Sequence, residues 1–260
     1  MVTPVLTGQA RLEVRNLRKR FSEGGAPVLA LDGVDLDVEP GEFVAVIGPS
    51  GCGKSTLFQI LAGLERPTSG EVLIDDRADP DRLGVCAFMP QRDSLLPWRR
   101  TIDNVTIGLE LAGVSRSDAR AQAGPLLDRF GLGEFQRSWP WQLSGGMRQR
   151  AAFLRTVVMG KPAMLLDEPF GSLDGITRSF AQQWLLQVWE EVRSTVVLIT
   201  HDVAEAIFLA DRVYLMSPRP GRISQVFPVE LPRPRTLALQ ETPAFAEHES
   251  RLRAALRAQV

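Results

Sequence analysis

An α/β fold with a mainly parallel central sheet is predicted for this 260-residue sequence, and three observations carry that expectation. Short, almost wholly apolar runs at 43–47, 85–89, 163–166, 195–200 and 213–216 suit buried strands, because strands covered on both faces need no polar alternation. The stretches at 57–62, 101–157 and 177–193 carry helical spacing instead. Three of the apolar runs end in chemistry-bearing residues: a glycine-rich loop, a pair of carboxylates and a histidine. In open parallel sheets that end of the strands is where ligands sit.

Composition bounds the function. At 44% apolar residues the chain can bury a full core, and 30 Lys plus Arg against 31 Asp plus Glu leave no positive field for nucleic acid or an anionic membrane. Lysine occurs only at 19, 54 and 161, so Lys54 stands out among arginines. Cys52 and Cys86 lack metal-ligand spacing and fit a reducing compartment, with no disulfide framework expected. No charged-then-apolar leader is evident, and no apolar run reaches the roughly 18 residues that span a bilayer. A soluble, cytoplasmic chain is the expectation.

In chain order, residues 11–21 alternate weakly (Leu12, Val14, Leu17, Phe21), as an antiparallel strand beside the main sheet would. Phe21 precedes a turn-rich loop at 22–27, where it either stacks on a purine or closes a core. A strand at 31–38 and the turn Glu39-Pro40-Gly41-Glu42 lead into the strand at 43–47. Then comes Gly48-Pro49-Ser50-Gly51-Cys52-Gly53-Lys54-Ser55-Thr56, followed by a helix at 57–62. Strand, glycine loop and helix is the context of a phosphate-binding P-loop. Glycines let successive N–H groups turn toward one anion, and the helix N-terminus adds partial positive charge. Lys54 is placed to reach the β- and γ-phosphates and Ser55 to ligate Mg²⁺.

A short strand at 71–74 and the apolar run at 85–89 follow, the latter ending at Pro90-Gln91. In Asp93-Ser94-Leu95-Leu96-Pro97-Trp98-Arg99-Arg100 the large apolar residues either form a docking patch or tuck beneath the next helix. Ile102, Val105, Leu109 and Leu111 make an imperfect helical stripe, and 119–130 another, which Gly124-Pro125 either kinks or splits into two helices. Ser144, Gly145 and Gly146 precede the helix beginning near Arg148, a second anion-binding geometry.

The apolar run at 163–166 ends in Asp167-Glu168, where one carboxylate can hold Mg²⁺ and the other orient water. Asp174 follows at a turn, and Phe180, Trp184, Leu185, Val188, Trp189 and Val192 give the next helix a core face. The strand at 195–200 delivers His201 to the same sheet edge. A last core strand at 213–216, a turn at 218–222 and an edge strand at 223–230 are followed by a Pro-rich extended segment at 231–243. An amphipathic helix with Phe245, Leu252 and Leu256 on one face closes the chain.

Together these residues resemble the ATP-binding subunits of ABC transporters over residues 11–230. The resemblance rests on Phe21, the Walker A loop 48–56, the Q-loop Gln91, the signature Leu143-Ser144-Gly145-Gly146-Met147, Walker B at Asp167-Glu168, the D-loop Ser172-Leu173-Asp174 and the switch His201. It implies an α/β P-loop NTPase (ABC ATPase) core with a mainly parallel sheet, an antiparallel β subdomain and an α-helical subdomain at about 92–157. Residues 231–260 would be a short C-terminal extension.

The resemblance also implies ATP and Mg²⁺ as ligands. Glu168 would polarise the attacking water, Asp167 and Ser55 would set Mg²⁺, Gln91 would sense metal and water, and His201 would contact the γ-phosphate. Two copies would pair head to tail, with Ser144-Gly145-Gly146 of one facing the γ-phosphate in the other and Asp174 linking the sites. Transmembrane permease subunits and, indirectly, a solute-binding protein would be the partners, at the cytoplasmic face of the membrane.

Met147, Leu95-Leu96-Pro97-Trp98 and Pro232-Arg233-Pro234 are similar to the importer subfamily for nitrate, sulfonates such as taurine and related small solutes. Phe153-Leu154-Arg155-Thr156, Trp139-Pro140-Trp141 and Gly124-Pro125 depart from the family's usual pattern, all away from the phosphate loop. The competing readings, a soluble ABC ATPase acting on nucleic acid or ribosomes and a P-loop kinase, are weakened respectively by the absent basic face and by a signature loop and switch histidine that a kinase would not use.

Overall fold

The computed structural model describes residues 9–22, 26–171 and 173–259; Glu23-Gly24-Gly25 of the first loop, Ser172 of the D-loop and the side chain of Val192 lie outside what is described. Two sheets organise the chain. Strands β1 (Leu12–Phe21), β2 (Val28–Val38), β4 (Ser69–Ile74) and β5 (Arg77–Ala78) form an antiparallel sheet in the order β2-β1-β4-β5. The larger sheet has the order β10-β9-β3-β8-β7-β6, from β10 (Ile223–Pro228), β9 (Arg212–Met216), β3 (Phe43–Ile47), β8 (Thr195–Ile199), β7 (Ala163–Asp167) and β6 (Ala87–Met89). Its strands are parallel except for the antiparallel pair β9 and β10.

β3, β7 and β8 are buried at every position, which explains their unbroken apolar runs. Alternate residues serve opposite faces. Val44 and Val46 pack with helix α1 (Lys54–Leu61) and the antiparallel sheet, while Phe43, Ala45 and Ile47 pack with the helices of the other face. Those helices include α5 (Gly145–Val157), α6 (Gly175–Val192) and α7 (Val203–Leu209). The register pairs Val46 with Ile199, Asp167 with Ile199, and Met89 with Leu166, so four strands end in one row.

Between β6 and β7 run α2 (Thr101–Val105), α3 (Ile107–Leu111), α4 (Arg116–Arg129) and α5. The buried Asp103 carboxylate accepts from Arg116 and Arg120, tying α2 to α4. α4 passes through Gly124-Pro125 as one helix, which overturns the expectation of a split there. The carbonyl that Pro125 leaves without an intrahelical donor belongs to the exposed Ala121, which is open to solvent. Leu111 is 83% exposed, because two positions beyond the buried Leu109 on α3 it lies on the opposite side of the helix, and Phe180 is likewise solvent-facing. Within the run 95–98, Leu95 joins the core, as tucking beneath the next helix requires, while Trp98 is 70% exposed.

Helix α7 was not anticipated; it starts at Asp202, whose carboxylate accepts from the N–H groups of Ala204 and Glu205. Its other end is held by the C-terminal segment. The buried Arg235 donates to the carbonyls of Ile207, Phe208 and Ala210, which a helix leaves without internal partners. Arg233 bonds Asp211 and the Leu209 carbonyl and lies 4.2 Å from the Trp189 ring centroid. The segment expected to be extended therefore clasps the core, with a 3-10 turn at Leu237–Glu241, before α8 (Pro243–Arg257) buries Phe245 and Leu252.

Candidate functional site

β3 runs directly into the glycine loop. Gly51 and Gly53 have φ of 75° and 107°, in the left-handed region. A Cβ on Gly53 would lie 2.9 Å from the Ala30 carbonyl oxygen and 2.8 Å from Leu31 Cδ2, so only glycine lets the loop press against β2 there. Helix α1 begins at Lys54, whose Nζ donates to the carbonyls of Gly48 at 2.8 Å and Pro49 at 3.0 Å, with the buried Cys52 sulfur 3.7 Å away. The loop thus curls around its own lysine.

A cleft of about 360 Å³ opens beside it, lined by Ser50, Gly51, Gly53, Lys54, Ser55, Thr56 and Glu168 on one side and by Phe21 on another. Phe21 is 38% exposed, with Lys19 Nζ 4.8 Å from its ring centroid, so its ring closes no core and remains available to stack on a ligand. Val28, Ala30, Ile199 and Arg219 complete the lining and escaped the sequence reading. Arg219 arrives because Gly221 exchanges backbone hydrogen bonds with β2 through Ala30 and Asp32; the cation inside a Pro-Arg-Pro-Gly turn was the available signal.

Asp167 closes β7 and is almost fully buried; burial and then the neighbouring Glu168 push its carboxyl up to about 6, against the pull of the Ser55 hydroxyl and Lys54. Glu168 follows with φ of 48°, uncommon for a side chain with a Cβ, and its N–H donates to the Ile199 carbonyl at 2.9 Å. Three predicted residues meet at this carboxylate. Gln91 Nε2 donates to Glu168 Oε2 at 3.0 Å, and His201 Nδ1 lies 3.3 Å from Glu168 Oε1. They come from the ends of β6, β7 and β8, which the parallel register aligns.

The signature residues stand elsewhere. Ser144 caps α5, its hydroxyl accepting from the Met147 N–H at 3.2 Å, and Asp174 caps α6 by accepting from the Thr177 N–H at 3.0 Å. Ser144 and Gly145 are exposed, and none of Ser144, Gly145, Gly146 and Asp174 lines the cleft. The α5 N-terminus therefore lies at the surface, with the partial positive charge of a helix start facing solvent. A larger cavity of about 540 Å³ between α4, α5 and α6 is walled by Phe130, Phe153 and Trp184 and holds none of the predicted catalytic side chains.

The glycine cradle and Lys54 fit a nucleotide's phosphates. Among the described residues no group of three His, Cys, Asp or Glu side chains is placed to hold a metal. The pair Asp167 and Ser55 instead fits a hard cation that shares its remaining ligands with phosphate and water, and a cation would relieve the burial cost of the Asp167 charge.

The sequence profile of the family described as ABC transporter matches residues 31–171. The taurine import ATP-binding protein TauB of Rhizobium johnstonii is 41% identical over 237 residues, 89% of this chain and 90% of that protein. The aliphatic sulfonates import ATP-binding protein SsuB of Pseudomonas fluorescens is 46% identical over 224 residues, 86% of this chain and 79% of that protein. Relatives of similar identity carry names that state no solute. Among solved structures, the dimeric structure of MJ0796, a bacterial ABC transporter cassette, matches with a TM-score of 0.77 and 32% identity, covering 85% of this chain and 99% of that one. The dimeric post-hydrolysis state of that cassette, bound to ADP and Pi, matches equally well. The chain belongs to the ABC transporter family, as one of its ATP-binding, ATP-hydrolysing subunits.

Proposed function

We propose that this chain hydrolyses ATP between two head-to-tail copies and thereby powers a membrane importer for taurine, other sulfonates or a similar small solute such as nitrate. The observation that carries the catalytic part is the meeting of Gln91 and His201 on the Glu168 carboxylate, one residue from Asp167 and beside the glycine cradle. Glu168 accepts the proton of the attacking water, while Gln91 and His201 fix the orientation of its two oxygens. Lys54 and the loop N–H groups bind the phosphates, and Phe21 offers its ring to the base. Asp167 and Ser55 would hold Mg²⁺, which would supply charge neutralisation on the phosphates.

The exposed N-terminus of α5, with Ser144, Gly145 and Gly146, serves the nucleotide of the second copy, and Asp174 lies at the junction. Two helix N-termini then share one phosphate tail, an arrangement favourable only while the γ-phosphate is present. No helix among the described residues is long and apolar enough to cross a membrane, so permease subunits supply the channel and a solute-binding protein delivers the cargo. The exposed Trp98, with the half-buried Leu96 beside it, is the proposed contact for the permease at the cytoplasmic face. The formal net charge of −1 gives the nucleic-acid reading no support. The solute class rests on the named relatives and on Met147, the 95–98 run and the 232–234 segment.

Replacing Glu168 by Gln should lower ATP turnover by about 10²- to 10³-fold while ATP affinity stays within about threefold, as removal of a group acting in the transition state does. Undiminished turnover in that variant would contradict the assignment. Because the Asp167 carboxyl is pushed up to about 6, protons compete with the cation below that pH. Mg²⁺-dependent ATP affinity should fall by up to about tenfold per pH unit below 6. Taking the ratio to the Asp167→Asn protein cancels the titration of the nucleotide itself, and a ratio flat from pH 5 to 7 would contradict the metal role. For the solute, a strain lacking this chain should lose growth on taurine or an alkanesulfonate as sole sulfur source, with rescue by the wild-type chain and not by Glu168→Gln; unimpaired growth would exclude the sulfonate reading.

A further inference from the structure

Glu168 occupies a backbone conformation that a residue with a Cβ adopts only when its surroundings hold it there. Its own N–H is fixed by Ile199, and its carbonyl accepts from the Gly171 N–H at 3.2 Å. A third restraint comes from outside the strand. Gln149 is 5% exposed, sits on α5, and donates from Nε2 to the carbonyl of Pro169 at 2.7 Å, holding the peptide between Pro169 and Phe170, one residue beyond Glu168. On the same side of α5, a Cβ added to Gly146 would lie 3.2 Å from Leu173 Cδ2. The first turns of α5 therefore lie along the 169–173 segment that leaves the catalytic carboxylate.

We infer that Gln149 is a positioning residue that couples the two nucleotide sites of the dimer. Its helix presents Ser144 and Gly146 to the partner's nucleotide at one end and grips the Pro169 carbonyl one turn later. Occupation of the partner's site sets the position of α5, and Gln149 passes that position to Glu168 through the single residue Pro169. A side-chain amide suits this role: it is neutral, so its burial costs little once bonded, and it reports displacement of the helix as loss of a directional hydrogen bond. The inference rests on the role proposed above for Glu168 as proton acceptor.

The test is ATP turnover by the full-length chain carrying Gln149→Met, which keeps length and helix propensity but cannot donate. We expect kcat to fall by about tenfold to 100-fold with KM for ATP within about twofold, the signature of a misplaced catalytic group in a formed site. In a Glu168→Gln background the same change should add no further loss to the single-turnover rate, since Gln149 acts only through that carboxylate. An unchanged kcat, or losses that multiply in the double variant, would overturn the inference. If Gln149→Met does not fold, Gln149→Glu decides: a buried carboxyl donates to the Pro169 carbonyl only when protonated, so its kcat relative to wild type should decline as pH rises from 6 to 9, and a flat ratio would overturn the inference. Glu168→Gln alone tests the underlying role. Full activity in that variant removes the role, whereas loss there with no effect of Gln149→Met removes only the coupling.

Discussion

The parallel register of β6, β7, β8 and β3 is the constraint on which this molecule depends. Met89 sits opposite Leu166, Asp167 opposite Ile199, and Ile199 opposite Val46, so the chain leaves four strands at nearly the same level. Gln91, Glu168, His201 and the glycine loop are separated by as many as 153 residues of sequence, from 48 to 201, yet their distances are set by this one alignment. A slip of one residue in any strand would exchange its two faces and turn the terminal side chain to the opposite side of the sheet. Burial on both faces prevents that slip, because the Val44 and Val46 side and the Phe43, Ala45 and Ile47 side pack into different clusters.

The site stores cost on that rigid base. Asp167 keeps a carboxyl where water cannot solvate its charge, and Glu168 bends into the left-handed region, a conformation worth about 1–3 kcal/mol of strain. In the proposed mechanism a phosphate-bound cation would relieve the first cost, and a water that must lose its proton would use the second. The remainder of the chemistry is missing from a single chain, since Ser144 and Gly145 face outward from the subunit that carries them. In the proposed head-to-tail pair each copy would hold half of each of two sites, and ATP binding and pairing would be the same event.

Much of the site was legible because its chemistry forces residue types and positions together. A phosphate cradle demands glycines at 51 and 53, and a ligand edge demands that chemistry follow an apolar run, as at 167–168 and at 201. What stayed hidden depends on tertiary contact. Arg233 and Arg235 lie in a Pro-rich segment that reads as extended, and only the bare carbonyls at the end of α7 explain their burial. Phe180 and Leu111 had apolar identity and helical spacing, but the surfaces they face lack a partner within the described residues. Gln149 was readable only as a polar residue three and four positions before the buried Ala152 and Phe153, a small flaw in an apolar face. Its importance comes from Pro169, which no local pattern connects to it.

The most direct measurement is the solution mass of the Glu168→Gln protein with Mg-ATP, with Mg-ADP and without nucleotide. Two half-sites that share one γ-phosphate predict a doubling of mass with ATP alone. An unchanged mass at ATP concentrations that saturate the chain would contradict a nucleotide clamped between two copies.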